Sequence, residues 1–221
     1  MRSASPPTDA ISPPERRPCG AISIARHGEP ALSRRIKLSA AGYRRWWAAY
    51  EEGGILDAHA PPARLLEIVR EADVIFASSR RRAVETAEAV VQGKHFVRDP
   101  IFFEAPLPPP HAPEFIKLNP RTWGVIARFV WWLGHTEGQE SRPEAQARAQ
   151  VVAERLAAEA ERGQNVVLLA HGFFNHMVGA RLMRMGWTRT FGKGHKYWST
   201  RRYERTWSAP LLSDPGAIRR A

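Results

Sequence analysis

The residues able to do chemistry in this sequence sit where its apolar runs stop. Ala21-Ile22-Ser23-Ile24-Ala25 ends in Arg26-His27-Gly28-Glu29: a fixed cation, an imidazole and a residue without a side chain in succession. Val166-Val167-Leu168-Leu169-Ala170 ends in His171-Gly172, and Val74-Ile75-Phe76-Ala77 ends in Ser78-Ser79 followed by Arg80-Arg81-Arg82. A carboxyl group, Glu104, closes the extended piece Ile101-Phe102-Phe103. Together these types suit transfer of a phosphoryl group, which needs positioning and charge stabilisation more than elaborate covalent chemistry. A planar guanidinium grips two phosphate oxygens and stays protonated, so Arg26 and Arg82 form a natural clamp. Backbone N–H groups after Gly172, at a helix start, add an anion site. A neutral imidazole can attack phosphorus and hold it covalently, and neighbouring cations keep it neutral near pH 7. The leaving alkoxide needs a proton, which a carboxylic acid can give and later reclaim from water.

Taken singly, each of these has a plain structural reading. Arg-His-Gly can be an ordinary turn, the arginine triplet a solvated helix face, His171 a core or capping residue, and Glu104 a surface charge. Their shared position, at or beside the ends of strands, sets them apart. Ligands of open α/β sheets lie beyond the carboxyl ends of the strands.

The elements that must deliver them follow from hydrophobic period and turn residues. Strands are expected at 20–25, 73–77 and 165–170, with a further extended piece at 97–103. Helices are expected from Ser39, a candidate N-cap, to Gly53-Gly54, then over 62–71, 80–91, 142–162 and 173–185. Segment 121–134, with Trp123, Trp131 and Trp132, reads as a core or lid helix in preference to a membrane-surface helix, and a proline run, Pro106, Pro108, Pro109 and Pro110, precedes it. Strands alternating with helices predict an α/β fold, a three-layer α/β/α sandwich with a mostly parallel central sheet. The domain is expected over 20–205, between a flexible Pro/Ser-rich tail at 1–19 and a basic, irregular C-terminal tail at 206–221. Beyond about Arg201 the chain already reads as basic and irregular.

Composition narrows the partners. The chain has 221 residues, 43% of them hydrophobic, and a formal charge of +11. That charge suits phosphorylated small molecules, polyanions or an acidic membrane surface, or simply reflects an arginine-rich composition. One cysteine, Cys19, excludes an internal disulfide framework and a cysteine metal cluster, so a reducing cytoplasmic setting is expected. Residues 1–18 lack the apolar core of a secretory signal, and no apolar run is long enough to span a bilayer.

The motifs, in their order along about 21–180, resemble the histidine phosphatase superfamily, which includes cofactor-dependent phosphoglycerate mutases and small-molecule phosphatases. Arg26-His27-Gly28-Glu29 resembles its nucleophile turn, and Leu38-Ser39-Ala40-Ala41-Gly42 its Leu-Ser/Thr-x-x-Gly helix start. Ser78 to Ala87 resembles its Ser-x-x-x-Arg-Ala-x-x-Thr-Ala segment, Gly138-Gln139-Glu140-Ser141 its Gly-Glu-Ser turn, and Leu169-Ala170-His171-Gly172 its second histidine motif. The resemblance implies a phosphoglycerate mutase-like fold, His27 as phosphate acceptor, Arg26, Arg82 and His171 around the phosphoryl group, and Glu104 as proton donor, with Glu85 and Glu29 as substitutes. It implies no metal and no cofactor. The sequence departs from the pattern where mutases have Ser or Thr three residues after the nucleophile and Asn six after: here stand Pro30 and Ser33. The Asn contact to phosphate is thus either replaced, with Ser33 as the candidate, or lost, which speaks against mutase activity in particular.

The expected function is a phosphomonoesterase acting through a phosphohistidine on a small phosphorylated metabolite. One alternative is a phosphoglycerate mutase-type phosphotransferase. Another is a non-catalytic module for phosphorylated or nucleic-acid ligands, motivated by arginines interleaved with aromatics at 43–47 (Tyr43, Arg44, Arg45, Trp46) and 195–207 (Tyr197, Trp198, Arg201, Arg202, Tyr203). Nucleic acid is the less favoured partner, since it leaves the reactive set unexplained.

Overall fold

A computed structural model describes residues 19–56 and 60–205. The expected tails, Cys19 excepted, lie outside the described residues. Six strands form one sheet: β1 (Ile22–Arg26), β2 (Val74–Ser78), β3 (Val97–Asp99), β4 (Val166–Ala170), β5 (Thr188–Phe191) and β6 (Thr200–Glu204), in the order β3-β2-β4-β1-β6-β5. The first four in that order are mutually parallel, whereas β6 runs antiparallel to β1 and β5 antiparallel to β6. Six helices accompany them: α1 (Ala40–Glu52), α2 (Ala63–Arg70), α3 (Arg81–Val91), α4 (Pro120–Trp132), α5 (Arg142–Glu161) and α6 (Gly172–Arg184).

Strand side chains alternate between two buried faces, as a sheet covered on both sides requires. Ile22, Ile24, Phe76, Val166, Leu168 and Ala170 share one core with the apolar residues of α5 and α6. Ala25, Ile75, Ala77, Val167 and Leu169 share the other with α2 and α3. The three-layer α/β/α reading of the sequence therefore stands. A third, separate core joins α1 to α4 through Tyr43, Trp46, Tyr50, Trp123 and Ala127.

Helix starts follow local chemistry. The Ser39 side chain accepts from Gly42 N–H, as expected of an N-cap. Ser141 and Glu144 form a reciprocal capping box at the start of α5. Asn119 caps α4, with Pro120 in its first turn.

The elements differ from the sequence reading at two places. Residues 201–204 are not irregular: they belong to β6, an inner strand, and β5 forms one edge of the sheet. The arginines of β6 hid it, because consecutive Arg201 and Arg202 break the expected apolar alternation. Tyr203 is nevertheless buried at 1% exposure, and Arg201 at 7%. Likewise, the piece expected to be extended over 97–103 is strand only through Asp99 and then makes a 3-10 turn at Pro100–Phe102, which the Asp99 side chain caps.

Because Tyr203 packs into the α5/α6 core, Tyr203→Ala should cost about 3–5 kcal/mol, as other deletions of buried aromatic rings do. Urea unfolding of the two proteins measures this. A loss below about 1 kcal/mol would mean that β6 contributes no core.

Candidate active site

Parallel pairing brings the ends of β1, β2 and β4 to one edge of the sheet. Arg26 pairs with Ala170 and Ala77 with Leu169, so His27, Ser78 and His171 emerge side by side. His27 N–H donates to the Ala170 carbonyl (2.9 Å), which ties the first turn to the second. Gly28 N–H donates to the Thr86 hydroxyl (2.9 Å), and that hydroxyl donates to the Arg82 carbonyl (2.6 Å). The turn after β1 is thereby locked to α3. Gly28 is needed for packing, since a Cβ there would stand 2.5 Å from the Trp198 ring.

The two imidazoles are buried, with ring centroids 5.3 Å apart. His27 Nδ1 lies 2.7 Å from the Gly28 carbonyl oxygen. A carbonyl can only accept, so Nδ1 carries the proton and Nε2 keeps its lone pair. His171 Nε2 meets the Ser78 hydroxyl at 2.9 Å, while its Nδ1 is buried with no partner among the described residues.

Arginines surround this pair. Arg82 is 1% exposed and donates to the Tyr50 and Glu51 carbonyls and to the Glu51 carboxylate, with its guanidinium 4.7 Å from the centre of the Tyr50 ring. These carbonyls belong to the last turn of α1, where backbone acceptors lack helical partners and the helix dipole is negative. Of the arginine triplet only Arg82 turns inward; Arg81 pairs with Glu85 on the surface, and Arg80 pairs with Glu51 and Glu52. Arg26 donates to the His195 carbonyl and lies 4.4 Å from the centre of the Tyr197 ring. The Nε atoms of Arg26 and Arg82 are buried without a partner among the described residues.

Burial lowers the pKa of His27 well below its usual 6.5, and the charges of Arg82, Arg26 and Arg34 lower it further. Burial again comes first for His171, followed by Arg82 and His27. Both rings are neutral at pH 7.

A cavity of about 600 Å³ opens on this set and is lined by Arg26, His27, Arg82, Glu104 and Gly172 among others. The Glu104 carboxylate accepts from the backbone N–H groups of Phe173 (3.1 Å) and Phe174 (2.7 Å). The anion site expected after Gly172 is thus partly used by the protein's own carboxylate, and Gly172 itself packs against the Arg26 guanidinium. Ser33 lies elsewhere than expected: it is exposed, its hydroxyl accepts from Arg35 N–H, and it does not line the cavity. Its neighbour Arg34 lines the cavity and donates to the Tyr50 hydroxyl at 2.6 Å. The substitutes for Glu104 are also outside the lining; Glu85 holds Ile55 N–H and Arg81 instead.

The sequence reading also missed the loop between β5 and β6. Tyr197 lies 5.8 Å from His27, centroid to centroid, and His195 lines the cavity. The interleaved arginines and aromatics of that loop had suggested a nucleic-acid surface. Trp198, Arg201 and Tyr203 are instead buried, as are Tyr43 and Trp46 in the other such stretch.

Residues 22–210 match the model of the histidine phosphatase superfamily, branch 1, and the chain belongs to that superfamily. No curated protein matches the sequence. Among solved structures, phosphoglycerate mutase from Bacillus anthracis str. Sterne shares the fold at 14% identity, covering 77% of this chain and 83% of that one, with a TM-score of 0.52. A protein described as mycobacterial hydrolase 1 does so at 20% identity, with coverage of 75% and 82% and a TM-score of 0.51. A mycobacterial glucosyl-3-phosphoglycerate phosphatase complexed with VO3 shares 20% identity, with coverage of 75% and 81% and a TM-score of 0.50.

The depressed histidines make stability fall on the acid side. Well above pH 6.5 both imidazoles are neutral whether the chain is folded or not. Below it the unfolded chain takes up protons that the folded site refuses, a loss of up to about 1.4 kcal/mol per histidine per pH unit until the folded value is reached. Wild type should therefore lose more stability between pH 6.5 and 5 than a variant carrying His27→Gln and His171→Gln. Parallel denaturation profiles for the two proteins would contradict neutral, buried rings.

Proposed function

We propose that the protein is a cytoplasmic phosphomonoesterase acting through a phosphohistidine on a small phosphorylated metabolite. The observation that carries this is the His27 tautomer: the Gly28 carbonyl holds Nδ1–H, so Nε2 offers its lone pair among the guanidinium groups of Arg26, Arg34 and Arg82. Family membership and the neutral state of the ring support the same reading. The single cysteine supports a reducing compartment. Among the described residues no helix is long and apolar enough to cross a membrane.

In the first step His27 Nε2 attacks phosphorus, the P–O bond to the alcohol breaks, and the Glu104 carboxylic acid gives the leaving oxygen its proton. In the second, water attacks the phosphohistidine, Glu104 takes a proton from that water, and inorganic phosphate leaves with His27 neutral again. Arg26 and Arg82, each with a buried unpaired Nε, hold the charge that spreads over the equatorial oxygens. His171 Nδ1 serves the same group, provided that the Ser78 hydroxyl donates to Nε2 and leaves the ring proton on Nδ1. Arg34 adds charge near the mouth of the site.

His27→Ala should abolish hydrolysis of p-nitrophenyl phosphate and the acid-labile, base-stable label left by ³²P-substrate; undiminished turnover rejects the mechanism. Glu104→Gln should slow esters of poorly acidic alcohols by about 10²–10⁴ while affecting p-nitrophenyl phosphate much less, because nitrophenolate leaves without a proton. Equal loss on both esters would remove Glu104 from the proton-donor role.

A further inference from the structure

The cavity is far larger than a phosphoryl group needs, and about 600 Å³ is within the range that holds a whole drug-sized ligand. Its charged end is described above. Away from that end it is walled by Trp46, Trp47, Leu107, Phe129, Trp132 and Phe173. Trp46, Tyr50 and Trp47 stack on one another, with centroids 5.0 and 5.2 Å apart, into a continuous aromatic wall. Among the described lining residues there is no Ser, Thr, Asn, Gln, Asp or Lys. Its side-chain hydroxyls are those of Tyr50, which accepts from Arg34, and Tyr43, buried and without a partner among the described residues, so a sugar or hydroxy acid bound here would bury more hydroxyl groups than this wall can pair. The remaining cations do little to change this. Arg128 donates to the Ala105 and Pro106 carbonyls and lies 3.9 Å from the centre of the Phe173 ring. Arg34 is bound to Tyr50, which leaves Arg121 at the exposed rim.

The wall continues onto the surface. Helix α4 buries Trp123, Ala127 and Trp131 in the protein, yet its opposite side is apolar too: Val125 is 71% exposed, Phe129 63%, Trp132 52% and Leu133 73%. A helix apolar on both sides normally has a partner on each. Three of these four residues also line the cavity, so the exposed face and the cavity form one apolar track that starts at the phosphate-gripping end. A ligand with its phosphate fixed at that end can fill the track only with the alcohol to which the phosphate is esterified.

We propose that the substrate is the monophosphate of a large apolar alcohol, with its hydrocarbon part along the aromatic wall and over the outer face of α4. This rests on the phosphomonoesterase reading and specifies its substrate class. Burial of each methylene should then favour capture by about fourfold until the track is filled.

The test is a series of n-alkyl monophosphates from ethyl to dodecyl, assayed below their micelle concentrations beside glycerol 3-phosphate, 3-phosphoglycerate and p-nitrophenyl phosphate. The expected result is a kcat/KM that climbs at least 100-fold along the series and leaves both polar esters behind. A second protein carrying Phe129→Ser and Trp132→Ser should show a flattened chain-length dependence. A flat wild-type series, or preference for a polar ester, overturns the substrate class while retained p-nitrophenyl phosphate turnover keeps the phosphatase reading. Failure on every ester, p-nitrophenyl phosphate included, would sink that reading instead. If the double substitution leaves the chain-length dependence intact and dissolves an oligomer in sedimentation, the α4 face is a contact between copies of the chain, and the tail assignment falls.

Discussion

The constraint on which the site depends is the confinement of several guanidinium groups beside two imidazoles in one buried place. Like charges at such separations repel strongly once water is excluded. The protein answers by leaving both rings neutral and by giving the most buried cation, Arg82, a set of acceptors from a single source. Those acceptors are the last carbonyls of α1 and the Glu51 carboxylate, so the point at which α1 stops determines where Arg82 can sit. The Tyr50 ring then lies within 5 Å of both the Arg82 and Arg34 guanidinium centres, offering its negative face where a second carboxylate would cancel the charge needed for an anion.

The same constraint explains what was legible in the sequence. Strand ends at Arg26, Ser78 and Ala170 could be read because each apolar run stops at a polar residue, and parallel order alone brings such ends to one edge. The inward turn of Arg82, but not Arg80 or Arg81, could be seen only from the family-like spacing to Thr86, whose hydroxyl links it to Gly28. The choice of Arg34 over Ser33 was hidden, since the Ser33 hydroxyl is taken by a local turn whose geometry has no marker in composition. The β5–β6 loop was hidden for a different reason. Arg201 is buried because its guanidinium donates to the Gly194 carbonyl and meets His195 Nδ1, a pairing of loop and strand that looks like surface charge when read linearly. Arg201 shares the task of holding this loop with Arg26, whose guanidinium donates to the His195 carbonyl, and with the Trp198 N–H, which donates to the His27 carbonyl (3.3 Å).

Glu104 illustrates how a residue outside regular structure can be fixed as firmly as one on a strand. Arg148 of α5 donates to the Ile101 and Phe103 carbonyls and grips Glu140 in a two-pronged pair, while Arg155 holds Asp99. The chain on either side of Phe102 is therefore clamped to α5, and the two N–H groups at the start of α6 orient the carboxylate itself. Ala105 N–H donates to the same carboxylate (3.0 Å), and the prolines that follow fix φ over the next stretch of chain.

The cavity joins two parts of the molecule. The end that carries His27, His171 and Arg82 rests on the sheet and its two covering cores. The wall of the cavity rests on the third core, where Trp123 Nε1–H donates to the Leu38 carbonyl and Leu38 bridges to Leu118. A change in Trp47, Phe129 or Trp132 would reshape the wall without loosening β1, β2 or β4, because none of the three belongs to the cores that enclose those strands. The tryptophans of 121–134, ambiguous between core and lid when read in sequence, serve both purposes by facing opposite ways: Trp123 and Trp131 anchor α4, and Trp132 faces the cavity. The wall on α4 can therefore be altered while His27, Ser78 and His171 stay where the sheet edge puts them.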